Sequence, residues 1–193
     1  MASYRKFTYD TTEGYSEPNL LGTKPLMTDA ECKCIEKYLK PEHIFFEWGS
    51  GGSTLYFPQF VKEYYSVEHF DSWYRLVRNK LRTLPDVEKK VTLYHIRNDL
   101  SYNYDSDIER DVFKHYIEAI HIPGYKRYDI ILVDGENRTR VFCAKEAIPF
   151  MDKDSIMFIH DYFARPKLTV LEEYFNIIER IEDGATLAVL KKK

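Results

Sequence analysis

Residues 43–54, HIFFEWGSGGST, constrain the fold more than any other stretch. Ile44, Phe45 and Phe46 form a short apolar run of the kind that becomes a buried strand in a parallel sheet. Glu47 closes that run, and Gly49, Ser50, Gly51 and Gly52 follow at once. Ser53 or Thr54 can then cap a helix entering Leu55, Tyr56 and Phe57. Strand, glycine turn and helix N-terminus together let backbone come close to a ligand and turn unpaired N–H groups toward it.

A P-loop needs G-x-x-x-x-G-K-[ST], and no lysine follows these glycines. A dinucleotide fingerprint needs G-x-G-x-x-G; Thr54 stands where its last glycine belongs, and an acid ends the strand. The pattern of an acid, one residue, then G-x-G-G resembles most the S-adenosylmethionine (SAM) loop of class I methyltransferases. The chemistry of SAM suits it: Glu47 can reach an ammonium group directly or through water, and with no pyrophosphate to approach, the third glycine matters less. A glycine-rich βα turn without a ligand is the plain alternative.

Along the chain, residues 1–25 are polar, tyrosine-rich and punctuated by Gly and Pro, an irregular arm that either folds over a ligand site or stays loosely ordered. Thr28 and Glu31 make a capping box opening a helix to about Leu39. Residues 63–67 read as a second strand ending at Glu68, placed to take ribose hydroxyls, with His69 beside it near adenine. Asp71 is expected to cap the next helix, whose aromatics read as core, and Pro85 to end it. Residues 91–96 form a third strand; Asn98 or Asp99 after it is placed to bond the adenine amino group.

Residues 101–127 read as an insertion over the strand ends, with a helix at 108–120 and with Tyr102, Tyr104 and His115 as acceptor-contact candidates. Residues 128–133 are a buried strand delivering Asp134 to the edge of the glycine loop, and residues 155–159 deliver His160, Asp161 and Tyr162. A helix over 167–175 and two strands about Asp183-Gly184 close the chain. The expected fold is α/β: a doubly wound, Rossmann-like, seven-stranded, mostly parallel sheet with an antiparallel terminal hairpin. It spans residues 1–193 as one domain, with residues 1–40 as an N-terminal arm and helix.

EWGSGGST, Glu68, DIILVDG and FIHDY occur in the order and spacing of class I SAM-dependent methyltransferases, and VDG…R…A…A…HDY…EEYF resembles a group acting on sugars and polysaccharides. This group is related at a distance to plant glucuronoxylan methyltransferases. The pattern is also similar to chlorovirus methyltransferase domains that act on rhamnose in capsid glycans. The resemblance implies SAM as cofactor, cradled by Gly49, Ser50, Gly51, Ser53 and Thr54, and in-line attack of an acceptor oxygen on the sulfonium methyl. Either His160 or Asp161 is then the general base, with Asp134 orienting substrate or SAM. Alternatively Asp134 and Asp161 ligate Mg²⁺ or Mn²⁺; His-Asp at the second strand tip departs from the Asp-Asp or Asp-Asn of metal-using relatives and disfavours the metal. Arg140, Tyr162 and Arg165 are acceptor-binding candidates. A methyltransferase acting on a non-sugar small molecule and a non-catalytic binding module on the same fold remain open. A dehydrogenase is disfavoured by Glu47, Thr54 and the terminal hairpin.

With a net charge of -3 and no basic block beyond the terminal lysines, a nucleic-acid partner is not expected. No apolar stretch is long enough to span a bilayer, and residues 1–10 carry no signal-peptide pattern. Cys32, Cys34 and Cys143 are too few and wrongly spaced for a zinc knuckle or a disulfide framework, which suits a reducing compartment, the cytoplasm, or the host cytoplasm if the viral resemblance holds. The chain is equally compatible with being a domain of a longer protein.

Overall fold

The computed structural model of the protein describes residues 22–97, 109–182 and 186–193. Seven strands form one sheet: β1 (Ile44–Trp48), β2 (Glu63–Glu68), β3 (Val91–His95), β4 (Ile130–Val133), β5 (Ile156–His160), β6 (Phe175–Ile181) and β7 (Leu187–Lys192). Their spatial order is β3-β2-β1-β4-β5-β7-β6. The first five pair in parallel, whereas β7 runs antiparallel to both β5 and β6. The chain therefore changes direction across the sheet between β1 and β4, and a crevice opens beyond the carboxyl ends of those strands.

Alternation along each strand decides what faces what. Phe46 and Trp48 of β1, Ile131 and Val133 of β4, and Met157 and Ile159 of β5 pack in one layer with Tyr116, Ile117, Cys143 and Ala144. The intervening Phe45, Ile130, Leu132 and Phe158 pack in a second layer with Cys34, Ile35 and Phe57. Cys34 and Ile35 belong to helix α1 (Asp29–Tyr38), so the second layer is the face that α1 covers. By the same period of two, Glu47, Asp134 and His160 point to that face, just past the apolar rows. Both faces are covered, which is why the central strands read as continuous apolar runs.

Helix α1 begins as its sequence predicts: the Thr28 hydroxyl accepts from the Glu31 N–H, and Glu31 accepts from the Thr28 N–H. Helix α2 (Gly52–Tyr56) starts within the glycine loop. Helix α3 (Asp71–Leu81) is not capped by Asp71, which pairs instead with Arg75 and Arg97. Glu68 takes over the turn before α3, accepting the N–H groups of His69 and Phe70 at 2.8 Å each. Pro85 does not end α3; it opens the short α4 (Pro85–Glu88). The helix expected over 108–120 is divided into α5 (Glu109–Val112), α6 (Lys114–Ile117) and a 3₁₀ turn, with buried Phe113 at the first break. Helix α7 (Arg140–Glu146) follows β4. The segment Pro166–Glu173 is a 3₁₀ helix, with Pro at its first turn.

Candidate active site

A cleft of about 300 Å³ lies at the carboxyl edge of the sheet. The glycine loop from Gly49 to Ser53 forms one wall, and Asp134, His160 and Asp161 form another. Trp73 and the segment Gly22, Lys24, Pro25 and Leu26 complete it.

The loop wall is built on close backbone contacts. Gly49 has φ +93, a left-handed value that L side chains rarely adopt, and a Cβ there would overlap the Gly135 backbone after β4. A Cβ on Gly52 would overlap the Lys24 carbonyl, so Gly52 is what lets the 22–26 segment lie across the loop. Gly51 is different: its backbone is extended, and a Cβ would sit 3.8 Å from the Trp73 ring, in ordinary contact. The Trp73 indole N–H donates to the Ser50 carbonyl at 2.6 Å.

Behind this loop Glu47 is fully buried. β1 and β2 pair Glu47 with Ser66, whose hydroxyl donates to the carboxylate at 2.6 Å. Thr54 donates to the same oxygen at 2.6 Å, and Ser53 to the other. All three partners are neutral hydroxyls. Burial drives the Glu47 pKa up to about 7, against the opposing pull of those hydroxyls. Glu68 is buried too; one oxygen holds the turn before α3 and the other accepts the Ser50 hydroxyl at 3.2 Å.

The opposite wall is charged. β4 and β5 pair Val133 with Ile159, which puts Asp134 beside His160 one step further on. His160 Nδ1 lies 2.9 Å from Asp134 Oδ1. Arg140, buried at the start of α7, binds both strand tips through all three of its nitrogens. Its Nε donates to the Gly135 carbonyl, one terminal nitrogen to the Asp134 carbonyl and Oδ1, and the other to the His160 carbonyl and Asp161 Oδ2. Five acceptors thus meet the five N–H donors a guanidinium has. Arg165 adds a bond to Asp161 Oδ2 at 2.8 Å. Asp161 has φ 57, and among the described residues no other non-glycine residue has positive φ. Burial would raise the Asp161 pKa, but Arg165, His160 and Arg140 outweigh it and hold the carboxyl below its usual range. For His160 burial pulls the pKa down, and Asp134, Asp161 and Glu31 together outweigh it and leave it raised.

Of the residues expected from the sequence, Gly49, Ser50, Gly51, Ser53, Asp134, His160 and Asp161 line one cleft. Glu47, Thr54 and Arg140 stand behind its walls. Glu68 sits under the loop, and His69 packs edge-on against Phe113 and Tyr116. Arg140 serves as the clamp between strand tips, with no donor left over for an acceptor. Tyr162 is buried, its hydroxyl 3.5 Å from Glu172, and does not line the cleft. His115 lines a separate open depression with Ile96, Glu118 and His121. Asn98, Asp99, Tyr102 and Tyr104 lie outside the described residues.

Four contributors carry no local site motif. Lys24 and Pro25 carry no motif. Trp73 reads as core by its helical spacing, yet it lines the cleft and holds the loop. Glu31 reads as a cap and nothing more. Its burial on the apolar stripe shared with Ile35, one turn along α1, is the signal that marks it, because a fully buried acid calls for a partner.

The donor set does not fit a hard divalent ion. Asp134 Oδ1 already serves His160 and Arg140, and Asp161 Oδ2 serves Arg165 and Arg140. An ion bridging the two carboxylates would sit against these cations. No group of three or more His, Cys, Asp or Glu side chains among the described residues stands in ligating geometry.

No protein-family model matches the sequence, and no curated protein matches it. Solved structures do. A methyltransferase-like protein from Silicibacter pomeroyi superposes with TM-score 0.66 at 22% identity, over 89% of this chain and 91% of that one. SMU.1697c from Streptococcus mutans, in complex with SAH, gives TM-score 0.59 at 14% identity, over 88% and 100% of the two chains. An rRNA methylase from Streptococcus thermophilus gives TM-score 0.60 at 14% identity, over 87% and 98%. At these identities the likeness is one of fold, and that fold is the Rossmann-like class I methyltransferase fold, with a seven-stranded sheet closed by an antiparallel hairpin.

Proposed function

We propose that this protein is a SAM-dependent O-methyltransferase whose acceptor is a hydroxyl of a sugar or glycan, such as a rhamnose unit. The observation that carries the reading is the convergence of three strand ends on one cleft: the E-x-G-x-G-G loop after β1 faces Asp134 and Asp161 after β4 and β5. When bound, SAM supplies an electrophilic methyl on a positively charged sulfur. The chain supplies the rest. Gly51 leaves room beside the Trp73 ring, Glu68 can exchange the Ser50 hydroxyl for ribose hydroxyls, and Glu47, acting through Ser53, places negative charge behind the amino-acid end.

On the other wall Asp134 and Asp161 can each accept a bond from an acceptor O–H. With SAM bound, its methyl would pass from sulfur to the acceptor oxygen, and one of these carboxylates would take the proton that the hydroxyl gives up. Positioning of the two reactants is worth effective molarities of roughly 10⁵ to 10⁸ M, and a placed base roughly 10²- to 10⁴-fold more. His160 turns Nδ1 to Asp134, and its Nε2 is buried without a hydrogen-bond partner, so it acts through Asp134 rather than on the acceptor. A net charge of -3 with no basic block beyond the terminal lysines favours a neutral polyhydroxyl acceptor over a polyanion.

Calorimetric titration with S-adenosylhomocysteine tests the donor half. Micromolar binding is expected, weakened about 10- to 100-fold by Glu68→Gln, which removes the charge but keeps an acceptor. Absence of binding overturns the reading. Labelled SAM offered with rhamnose-containing glycans and with RNA tests the acceptor half, and transfer to RNA alone would overturn the sugar assignment.

A further inference from the structure

Two buried polar atoms at the edge of the cleft face each other without a hydrogen bond. Glu31 is 0% exposed; its Oε2 closes the α1 cap at 2.9 Å from the Thr28 N–H, and its Oε1 has no partner. His160 Nε2 is also without one, and the two atoms lie 3.5 Å apart. On the other side of the ring, Nδ1 meets Asp134 at 2.9 Å. The imidazole thus bridges carboxylates from two elements, the first turn of α1 and the tip of β4. The cap alone needs neither the burial nor the second oxygen, and leaving a charged oxygen unpaired inside a protein is costly.

We propose that Glu31 is a positioning residue of the active site, holding His160 by Nε2 from α1 so that the ring is fixed at both ends and presents Asp134 to the acceptor. The catalytic consequence rests on the methyl-transfer reading; the bridge itself does not. The fold explains the encounter. His160 and Asp134 share the α1 face of the sheet, and Glu31 lies one turn before Ile35, which packs on that face. The charged groups facing the ring are Glu31 from α1, Asp134 after β4 and Asp161 after β5. Arg140 of α7 binds the His160 carbonyl, Arg165 binds Asp161, and Lys24 lines the same cleft.

The test is a titration of histidine ring nitrogens by ¹⁵N NMR on the free protein, with His160→Gln assigning the signal among six histidines. In the wild type, His160 is expected to keep both ring protons above the ordinary imidazole range, with slow exchange at Nε2. Glu31→Gln retains the bond to the Thr28 N–H but loses the charge, and should lower the His160 midpoint by roughly one pH unit. Thr28→Ala loosens the cap and should leave the His160 signal in place. An unchanged midpoint in Glu31→Gln, or an equal shift in Thr28→Ala, overturns the proposal. Should Glu31→Gln fail to fold, the wild-type spectrum still decides: ordinary titration with an Nε2 proton exchanging freely with solvent overturns it. In turnover, kcat of Glu31→Gln should fall about tenfold with KM for SAM unchanged. Because the spectra need no donor or acceptor, failure of this bridge and failure of the methyl-transfer reading are separately visible.

Discussion

The two walls of the cleft solve the same problem in opposite ways. Each carries an acid at the end of a central strand, on the face that α1 covers. On the loop wall Glu47 is surrounded by Ser53, Thr54 and Ser66, all neutral. On the other wall Asp134 and Asp161 share Arg140, and each has a further positive or protonatable partner. Position in the sheet is therefore the same, and only the neighbours differ. The loop wall is left short of positive charge, so a cationic ligand gains most there. The opposite wall is already balanced, so it draws in no second cation, and the proposed reading asks it only to orient an acceptor and take its proton.

The largest test of this contrast lies in the glycines. Gly49→Ala must place a side chain at φ +93 and into the Gly135 backbone, while Gly52→Ala meets the Lys24 carbonyl. Each should cost about 4 kcal/mol, a large part of the stability of a domain this size, as urea unfolding would show. Gly51→Ala has neither problem, with only the Trp73 ring 3.8 Å away. It should unfold within about 1 kcal/mol of wild type and yet bind S-adenosylhomocysteine poorly, because its methyl group occupies the cleft. If all three unfold alike, the loop is a structural turn and the two walls do not divide as drawn.

Much of this architecture is legible in the chain. Apolar runs ending in acids give β1, β2 and β4, Thr28 with Glu31 gives the α1 cap, and the closing pair of strands gives the reversed β7. What escapes is what depends on contacts between distant segments. Asp71 has the right residue type to cap α3, but the buried Glu68 carboxylate reaches the free N–H groups of that turn first. The helix expected over 108–120 breaks at Phe113, whose side chain is buried against His69 and Tyr116. Arg140 looks like a surface arginine after a loop, and only the pairing of β4 with β5 reveals that both strand tips converge on it. Glu31 has one role visible locally and another visible only once α1 lies on the sheet.

A second, smaller effect should separate the walls by pH. The folded pKa of Glu47, about 7, lies above its ordinary value of 4.5, so the native state favours the protonated carboxyl. That contribution is fully present below pH 4.5 and is lost as pH rises to about 7, a decline of about 3 kcal/mol in the free protein. Glu47→Gln should flatten it, and urea unfolding at pH 5 and pH 8 measures the difference. A cationic ligand restores the charged form, so binding near pH 6 should release a proton, visible as a dependence of the binding heat on the buffer. Parallel pH profiles for wild type and Glu47→Gln would mean that Glu47 is already ionised by some other group. The loop wall would then be balanced like its counterpart.

The smallest effect concerns the balanced wall. Asp161 combines a left-handed backbone with a charge, and two substitutions pull these apart. Asn tolerates φ 57 about as well as Asp, so Asp161→Asn removes only the charge. Its partner Arg165 and Asp161 itself are each 30% exposed, so the loss should stay near 0.5 kcal/mol after solvent screening. Asp161→Ala loses the charge and also places a Cβ-bearing residue without a local polar side chain in the left-handed region, adding about 1 kcal/mol. A gap between the two variants in urea midpoint would show that the backbone at this strand tip is held in place by the fold, with the charge free to serve the acceptor. Equal losses would assign Asp161 to its ion pairs instead. The wall would then be held together by its charges rather than merely decorated by them, and its carboxylates would be less available as proton acceptors than the loop-side contrast implies.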